Sequence, residues 1–126
     1  CALPISVPDT YFERTADEAL RSDVYAEIFL FECENEAAGY GLIAKTYSQE
    51  AGGMVWWIEE VYVREAFRSK GIGREFFAYL DKVKGSAVTR MRLEVEEDNT
   101  RAVALYKKLG YKPLEYAQMI KDAPLK

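Results

Sequence analysis

The feature that most constrains this chain is a basic, glycine-bearing turn between a strand-like and a helix-like segment. Residues 56–63 have the composition of a strand, and residues 72–84 repeat apolar side chains at helical spacing. Between them, residues 68–73 read Arg-Ser-Lys-Gly-Ile-Gly. The first N–H groups of a helix have no intrahelical partner, and the helix dipole adds positive charge at that end. Because glycines also let a ligand approach the backbone, the turn predicts a phosphate-binding site to which Arg68 and Lys70 add charge.

The composition narrows the chemistry that this site can perform. The 126 residues carry 17 basic and 21 acidic side chains, a net charge of −4, which argues against nucleic acid as a partner. The chain contains no histidine, so the usual Ser-His-Asp and Cys-His systems and histidine-based zinc sites are excluded. We therefore expect no metal, and acid–base chemistry that uses carboxylates, tyrosine, lysine, cysteine or water.

Length and cysteine content indicate a single cytoplasmic domain. A chain of 126 residues is long enough for one core, so residues 1–126 are expected to form one domain. Only Cys1 and Cys33 are present, too few for a disulfide scaffold, which favours a reducing cytoplasm. No apolar run is long enough to cross a bilayer, so no membrane partner is expected. The sequence shows no secretory signal. Because it begins at Cys1 rather than methionine, the question of an upstream segment that carries such a signal stays open.

Hydrophobic periodicity predicts a mixed α/β (α+β) fold. A helix, a three-stranded antiparallel meander, the helix after the basic turn, a strand, a third helix and two short terminal strands follow one another. The predicted helices are 9–22, 72–84 and a third one that follows the capping residues 98–100. The predicted strands are 25–33, 40–48, 54–63, 87–96, 111–114 and 116–120. The crossover from 54–63 to 87–96 is expected to be parallel and right-handed. The result is a mixed, mostly antiparallel central sheet flanked by helices.

Two common phosphate-binding motifs do not fit the turn. The P-loop pattern is absent, and the dinucleotide pattern fails because Phe76 stands where its third small residue is required. Residues 39–44 read Gly-Tyr-Gly-Leu-Ile-Ala and match the dinucleotide pattern in letters. That segment continues as a strand rather than opening a helix, so we interpret it as a chance match inside a hairpin.

The pattern that remains resembles motif A of the GCN5-related N-acetyltransferases. Residues 61–73 read VYVREAFRSKGIG, with the family's Arg/Gln-x-x-Gly-x-Gly/Ala pattern after a strand. Residues 99–111 read NTRAVALYKKLGY and look like the family's N-x-x-A-x-x-L-Y-x-x-x-G-F/Y segment. The resemblance runs from about residue 24 to 120 and implies an acyl-CoA N-acyltransferase-like fold. The family usually begins with a further strand and helix, for which this chain has no room before Asp9.

The resemblance implies acetyl-coenzyme A as co-substrate. Main-chain groups of the strand before the turn would pair with the pantetheine arm, and the Asn99 side chain of the second motif would add a hydrogen bond to it. Main-chain amides of the turn would bind the pyrophosphate. The implied pantetheine contacts are Val61, Tyr62, Val63, Asn99 and Tyr106, and the implied pyrophosphate contacts are Arg68, Ser69, Lys70, Gly71, Ile72 and Gly73. Asn99 also suits simple helix capping, and both roles stay open.

Direct acetyl transfer needs a proton acceptor for the amine and a proton donor for the leaving thiolate. Glu59 and Glu60 are the candidate bases, and strict strand alternation would let only one of them face the acceptor. Glu59 aligns with the position that supplies the base in polyamine-acetylating members of the family. Tyr106 corresponds to the tyrosine that lies near the coenzyme sulfur and serves as the acid.

The acceptor is expected to be a primary amine, either a small cationic amine such as a polyamine or a peptide amine. An acidic run at 94–98 favours a cation, although such a run is usually a solvated edge. Trp56 and Trp57 are candidates either for pocket lining or for the core. Two alternatives stay open: a non-catalytic acetyl-coenzyme A-binding sensor or interaction module, and a nucleotide-binding domain of another kind. A homodimer is compatible with the exposed edge of such a sheet.

Overall fold

The computed structural model describes residues 9–124, and the chain divides after Glu94 into two compact units. Among the described residues, the first unit contains two α-helices and four strands, and the second contains one α-helix. The elements of the first unit are α1 (Asp9–Arg21), β1 (Ala26–Cys33), β2 (Glu36–Ser48), β3 (Gly53–Val63), a 3₁₀ turn (Glu65–Phe67), α2 (Ile72–Val83) and β4 (Val88–Leu93). The second unit contains α3 (Thr100–Lys108). A single domain over residues 1–126 stays a prediction.

The four strands form one sheet in the order β1-β2-β3-β4. β1 pairs with β2 and β2 with β3 in antiparallel orientation, whereas β3 and β4 are parallel and are connected through α2. The β1–β2 turn places Glu34 and Asn35 at φ 54° and 65°, the left-handed values that a tight two-residue hairpin requires. The sheet confirms the predicted mixed, mostly antiparallel architecture and the parallel crossover.

The core of the first unit lies between α2 and one face of the sheet. The Phe76 ring of α2 packs against Phe29 and Phe31 of β1, with ring centroids 5.5 and 5.0 Å apart. A Cβ at Gly41 of β2 would overlap the same Phe76 ring, so glycine is required there by packing. The segment 39–44 accordingly lies inside β2 and opens no helix, as the sequence interpretation expects. Leu80 of α2 is fully buried in this core.

Two strand predictions are wrong and one is too long. Residues 111–114 and 116–120 form no strand within the described part of the chain. A strand needs a ladder partner as well as suitable residues, and Pro113 has no N–H to donate to one. β4 ends at Leu93 rather than at residue 96 because its ladder with β3 ends there. The alternation of residues 87–96 predicts a pleated backbone but does not reveal where the partner strand diverges.

Residues 1–8, before which the family's first strand and helix would stand, lie outside the described residues. Within residues 9–124, no helix is long and apolar enough to span a membrane.

Candidate functional site

The turn between β3 and α2 contains main-chain N–H groups that have no hydrogen-bond partner within residues 9–124. Ser69 and Gly71 adopt left-handed conformations, with φ 65° and 81°, and Gly71 is the N-cap of α2. The carbonyl of Gly71 accepts the first helical hydrogen bond, from the N–H of Glu75 at 3.0 Å. Among the described residues, none accepts a hydrogen bond from the N–H groups of residues 69–73. Such a run of donors at a helix N-terminus is suited to an anion.

The space above this turn is open to a ligand. A Cβ placed on Gly71 or on Gly73 would meet no protein atom within 4 Å. The backbone at these two glycines is therefore accessible to a ligand. The turn fits a diphosphate in both its donors and its access.

Three cationic side chains surround the turn. Arg68 donates from Nε to the carbonyl of Val63 at 2.9 Å, which fixes its guanidinium beside the end of β3. Lys70 Nζ and Arg64 Cζ lie 5.6 and 5.5 Å from the centroid of the buried Phe67 ring. Besides the predicted cations Arg68 and Lys70, Arg64 directly follows β3 and donates from Nη1 to the carbonyl of Ala37 at 2.6 Å. Arg64 was not among the predicted phosphate contacts.

β3 and β4 separate at the point where the site begins. Their ladder ends with Ile58 opposite Leu93, while residues 60–63 of β3 continue to pair with β2 alone. The N–H of Arg64 donates to Ala38 of β2 at 2.7 Å. Because main-chain direction alternates along an antiparallel ladder, Val61 and Val63 direct their N–H and C=O groups away from β2.

The three predicted pantetheine contacts on β3 are therefore not equivalent. Tyr62 is paired with Tyr40 of β2, so its main-chain groups belong to the ladder. Val61 offers both main-chain groups to the side that β4 leaves open, and Val63 offers its N–H there, since its carbonyl accepts from Arg68. A strand with open groups of this kind can pair with an extended amide-bearing ligand.

A β-bulge places Glu59 at the point of separation. The register between β2 and β3 shifts between Leu42 and Ile43, which face Glu60 and Ile58, so Glu59 has no partner on β2. Side-chain directions therefore do not alternate strictly at this point of β3. The expectation that only one of the two glutamates faces the acceptor depended on that alternation. Bulges often occur beside active sites, where they redirect a side chain.

The two glutamates lie in different environments. Glu59 is exposed, yet partial desolvation raises its pKa, and the carboxylates of Glu94 and then Glu60 raise it further. Glu60 is 8% exposed and accepts a hydrogen bond at Oε1 from the hydroxyl of Tyr40. Glu59 is thus the accessible carboxylate with increased proton affinity, whereas Glu60 is held in the protein. The contribution of Glu94 was obscured in the sequence because it belongs to a longer acidic run.

Both tryptophan rings are already covered by cations of the first unit. The Arg92 guanidinium stacks 3.9 Å from the ring centroid of Trp57. Lys45 Nζ lies 5.3 Å from the ring of Trp56 and pairs with Glu27 at 2.7 Å. Trp56 is 9% exposed, which agrees with the core alternative for this residue.

In the second unit, Asn99 and Tyr106 belong to α3 and its cap. Asn99 Oδ1 accepts from the N–H of Ala102 at 3.2 Å, so its capping role is confirmed. The Tyr106 ring is half-buried and meets Tyr111 edge-on, with centroids 6.1 Å apart. Desolvation raises the pKa of Tyr106, so its phenol stays protonated beyond the usual range. Residues 96–98 are exposed, as expected for a solvated acidic edge.

A single family model covers both sequence motifs. Residues 2–111 match the family described as acetyltransferase (GNAT). The chain belongs to the GNAT acetyltransferase family. It is 30% identical over 119 residues to a thialysine N-epsilon-acetyltransferase of Bos taurus, covering 83% of this chain and 69% of the relative. The Mus musculus enzyme of the same name is 32% identical over 115 residues, covering 80% and 67%.

Solved structures show the same fold. A possible acetyltransferase from Clostridium difficile 630 superimposes with a TM-score of 0.81 at 21% identity, over 94% of this chain and 80% of the other. The aminoglycoside acetyltransferase AAC(6')-Iy, in complex with a CoA-containing bisubstrate analogue, gives 0.76 at 18% identity over 95% and 84%. The predicted family, fold class and enzyme class are confirmed: this GNAT protein is an N-acetyltransferase. The module without catalysis is accordingly not supported.

Proposed function

We propose that this GNAT enzyme transfers the acetyl group of acetyl-coenzyme A directly to the primary amine of a small cationic molecule. The observation that carries this proposal is the position of Glu59. It lies at the bulge where β3 leaves β4, next to the open main-chain groups of Val61 on the same strand. A proton acceptor and a docking edge for an extended ligand therefore occur within three residues of each other.

The turn and β3 would together hold the coenzyme. The N–H groups of residues 69–73 and the side chains of Arg68 and Lys70 would bind its pyrophosphate, and Val61 and Val63 would pair with its pantetheine amides. When bound, the coenzyme supplies an acetyl thioester, an electrophilic carbonyl with a thiolate leaving group. The structural relative AAC(6')-Iy has also been crystallised with CoA, which supports this co-substrate.

Glu59 would accept the proton of the incoming amine. An aliphatic ammonium has a pKa near 10, so a base must remove a proton before the nitrogen can attack. Proton transfer is most efficient when the pKa of the base lies close to the working pH, and desolvation with Glu94 and Glu60 moves Glu59 in that direction. Glu60 is the weaker candidate because its carboxylate is buried and engaged by Tyr40.

Tyr106 would donate a proton to the leaving thiolate. This role comes from its place in the second motif, and the half-buried phenol is in the protonated form that a proton donor requires at neutral pH. Asn99 would contact the pantetheine with the donor groups that its capping contact leaves available, since only its Oδ1 accepts from Ala102.

A cationic acceptor is favoured by the charges that act on Glu59. Both of them, Glu94 and Glu60, are carboxylates, and neither forms an ion pair among the described residues. An ammonium group would offset this negative charge. The names of the relatives, a thialysine N-epsilon-acetyltransferase and an aminoglycoside N-acetyltransferase, support an amino-bearing small molecule. A peptide amine is the other acceptor class to test. A cytoplasmic location and a homodimer stay predictions.

The test is coenzyme A release from acetyl-coenzyme A with a panel of amines: thialysine, lysine, spermidine, an aminoglycoside and a peptide with a free N-terminus. We expect turnover with a small cation and a loss of about 10²–10⁴-fold in kcat for Glu59→Gln, the usual contribution of a general base. Glu13→Gln, which removes an exposed carboxylate on α1, is the matched control. Full activity of Glu59→Gln would refute the base assignment, and activity only with the peptide would refute the acceptor class.

A further inference from the structure

Tyr40 and Glu60 form a buried polar pair that the proposed mechanism does not use. The Tyr40 hydroxyl of β2 donates to Oε1 of Glu60 on β3. The Tyr40 ring also meets Tyr62, with centroids 5.9 Å apart, so its direction is fixed by a second contact. The pair lies on the sheet face opposite Phe76, since Tyr40 is the strand neighbour of Gly41, which faces that ring.

Burying this pair has a free-energy cost that a purely structural role does not explain. Glu60 is 8% exposed, and no cation pairs with it among the described residues. A buried carboxylate without a counter-ion destabilises the fold unless its hydrogen bonds compensate. Burial, followed by the hydrogen bond and the charge of Glu60, raises the pKa of Tyr40 well above its usual range, so the phenol remains a donor at every working pH.

The pair adjoins the bulge that carries the proposed base. Glu60 follows Glu59 directly and is the residue that pairs with Leu42 at the register shift. The titratable groups that act on Glu59 are Glu94, which follows β4, and Glu60 on its own strand. Of these two, Glu94 is exposed, whereas Glu60 is buried and has a fixed partner.

We propose that Tyr40 is a positioning residue: its hydroxyl holds the Glu60 carboxylate beside the bulge, next to the proposed base Glu59. A second carboxylate held there favours the form of Glu59 that has taken up the proton of the amine. In that step a proton moves from the ammonium nitrogen of the acceptor to a carboxylate oxygen of Glu59, and the nitrogen keeps the electron pair with which it then attacks. The catalytic part of this proposal depends on Glu59 being the base.

The direct test is a ¹³C-carboxyl NMR titration of the free enzyme, with the Glu59 signal assigned by its loss in Glu59→Gln. Tyr40→Phe removes the donor that holds the Glu60 carboxylate beside the bulge, so the carboxylate can move away and the midpoint of Glu59 should fall. Glu60→Gln removes the charge while keeping an acceptor for Tyr40, and it should lower the midpoint as well. Tyr47→Phe, at a 70% exposed tyrosine of the same strand, is the control and should leave it unchanged.

An unchanged Glu59 midpoint in a folded Tyr40→Phe protein would overturn the proposal. Should that variant not fold, Glu60→Gln decides alone, and an unchanged midpoint there has the same consequence. The acidic limb of the pH profile of kcat/KM should shift to lower pH in both variants, with a several-fold fall in kcat at neutral pH. If the midpoint falls but Glu59→Gln retains the acidic limb, the proposed base is wrong and the catalytic role of Tyr40 fails with it, while the electrostatic coupling stands.

Discussion

At the scale of single residues, the pH dependence of the reaction follows from Glu59. Only its deprotonated form accepts a proton, so kcat/KM must fall as the pH decreases through its pKa. Desolvation, Glu94 and Glu60 raise that pKa above the ordinary 4.5, so the fall should begin at a higher pH than for a solvated glutamate. The measurement is a pH profile of kcat/KM at saturating acetyl-coenzyme A. An acidic limb at or below the ordinary glutamate value would contradict the prediction.

Tyr106 allows a second test at this scale. Tyr106→Phe keeps the ring that packs against Tyr111 and removes only the hydroxyl. If the phenol protonates the thiolate, kcat should fall by about 10²-fold or more, whereas the Kd for acetyl-coenzyme A should change little. Stopped-flow turnover and calorimetry separate the two quantities. Tyr116→Phe, at a 66% exposed tyrosine of the same unit, is the control. Unchanged turnover in Tyr106→Phe would refute the acid assignment.

At the scale of elements, two glycines should separate binding from folding. A methyl group at Gly73 meets no protein atom within 4 Å but enters the space where the pyrophosphate is proposed to bind. Gly73→Ala should therefore raise the Kd for coenzyme A and leave the free energy of unfolding nearly unchanged. A methyl group at Gly41 would overlap the Phe76 ring of α2, so Gly41→Ala should destabilise the fold by about 1–3 kcal/mol.

Calorimetry with coenzyme A and urea denaturation of both variants measure the two effects. Equal coenzyme binding by Gly73→Ala and the wild type would mean that the ligand does not approach the turn at this glycine. A Gly41→Ala protein as stable as the wild type would mean that α2 shifts to accommodate the methyl group.

The elements also show how far the sequence could predict this fold. Helix α2, its N-terminal turn and the three antiparallel strands were predictable because each is encoded by local periodicity and turn residues. The end of β4 at Leu93, the bulge at Glu59 and the absence of strands over 111–120 were not, because they depend on which strands pair. The contact between Tyr40 and Glu60 joins residues 20 positions apart and likewise has no local signature.

At the scale of the whole molecule, the charge that favours catalysis should reduce stability. The folded state binds a proton at Glu59 more tightly than the unfolded chain does, because folding raises the pKa of this group. Stability is therefore lost as the pH rises from the ordinary glutamate value of 4.5 through the higher value of the folded state. Above that window, the ionised carboxylate opposes folding. A proton acceptor of this kind is retained at some thermodynamic cost.

Glu59→Gln should consequently be more stable than the wild type at neutral pH while being nearly inactive. The advantage should disappear as the pH falls below 4.5, where Glu59 is protonated in both the folded and the unfolded wild type. Urea denaturation at a series of pH values measures this difference, and Glu13→Gln gives the baseline for losing one exposed charge. A variant that is less stable than the wild type at neutral pH would show that ionised Glu59 makes a favourable contact in the folded protein, and a carboxylate held in that way would be a poor acceptor for the proton of an amine.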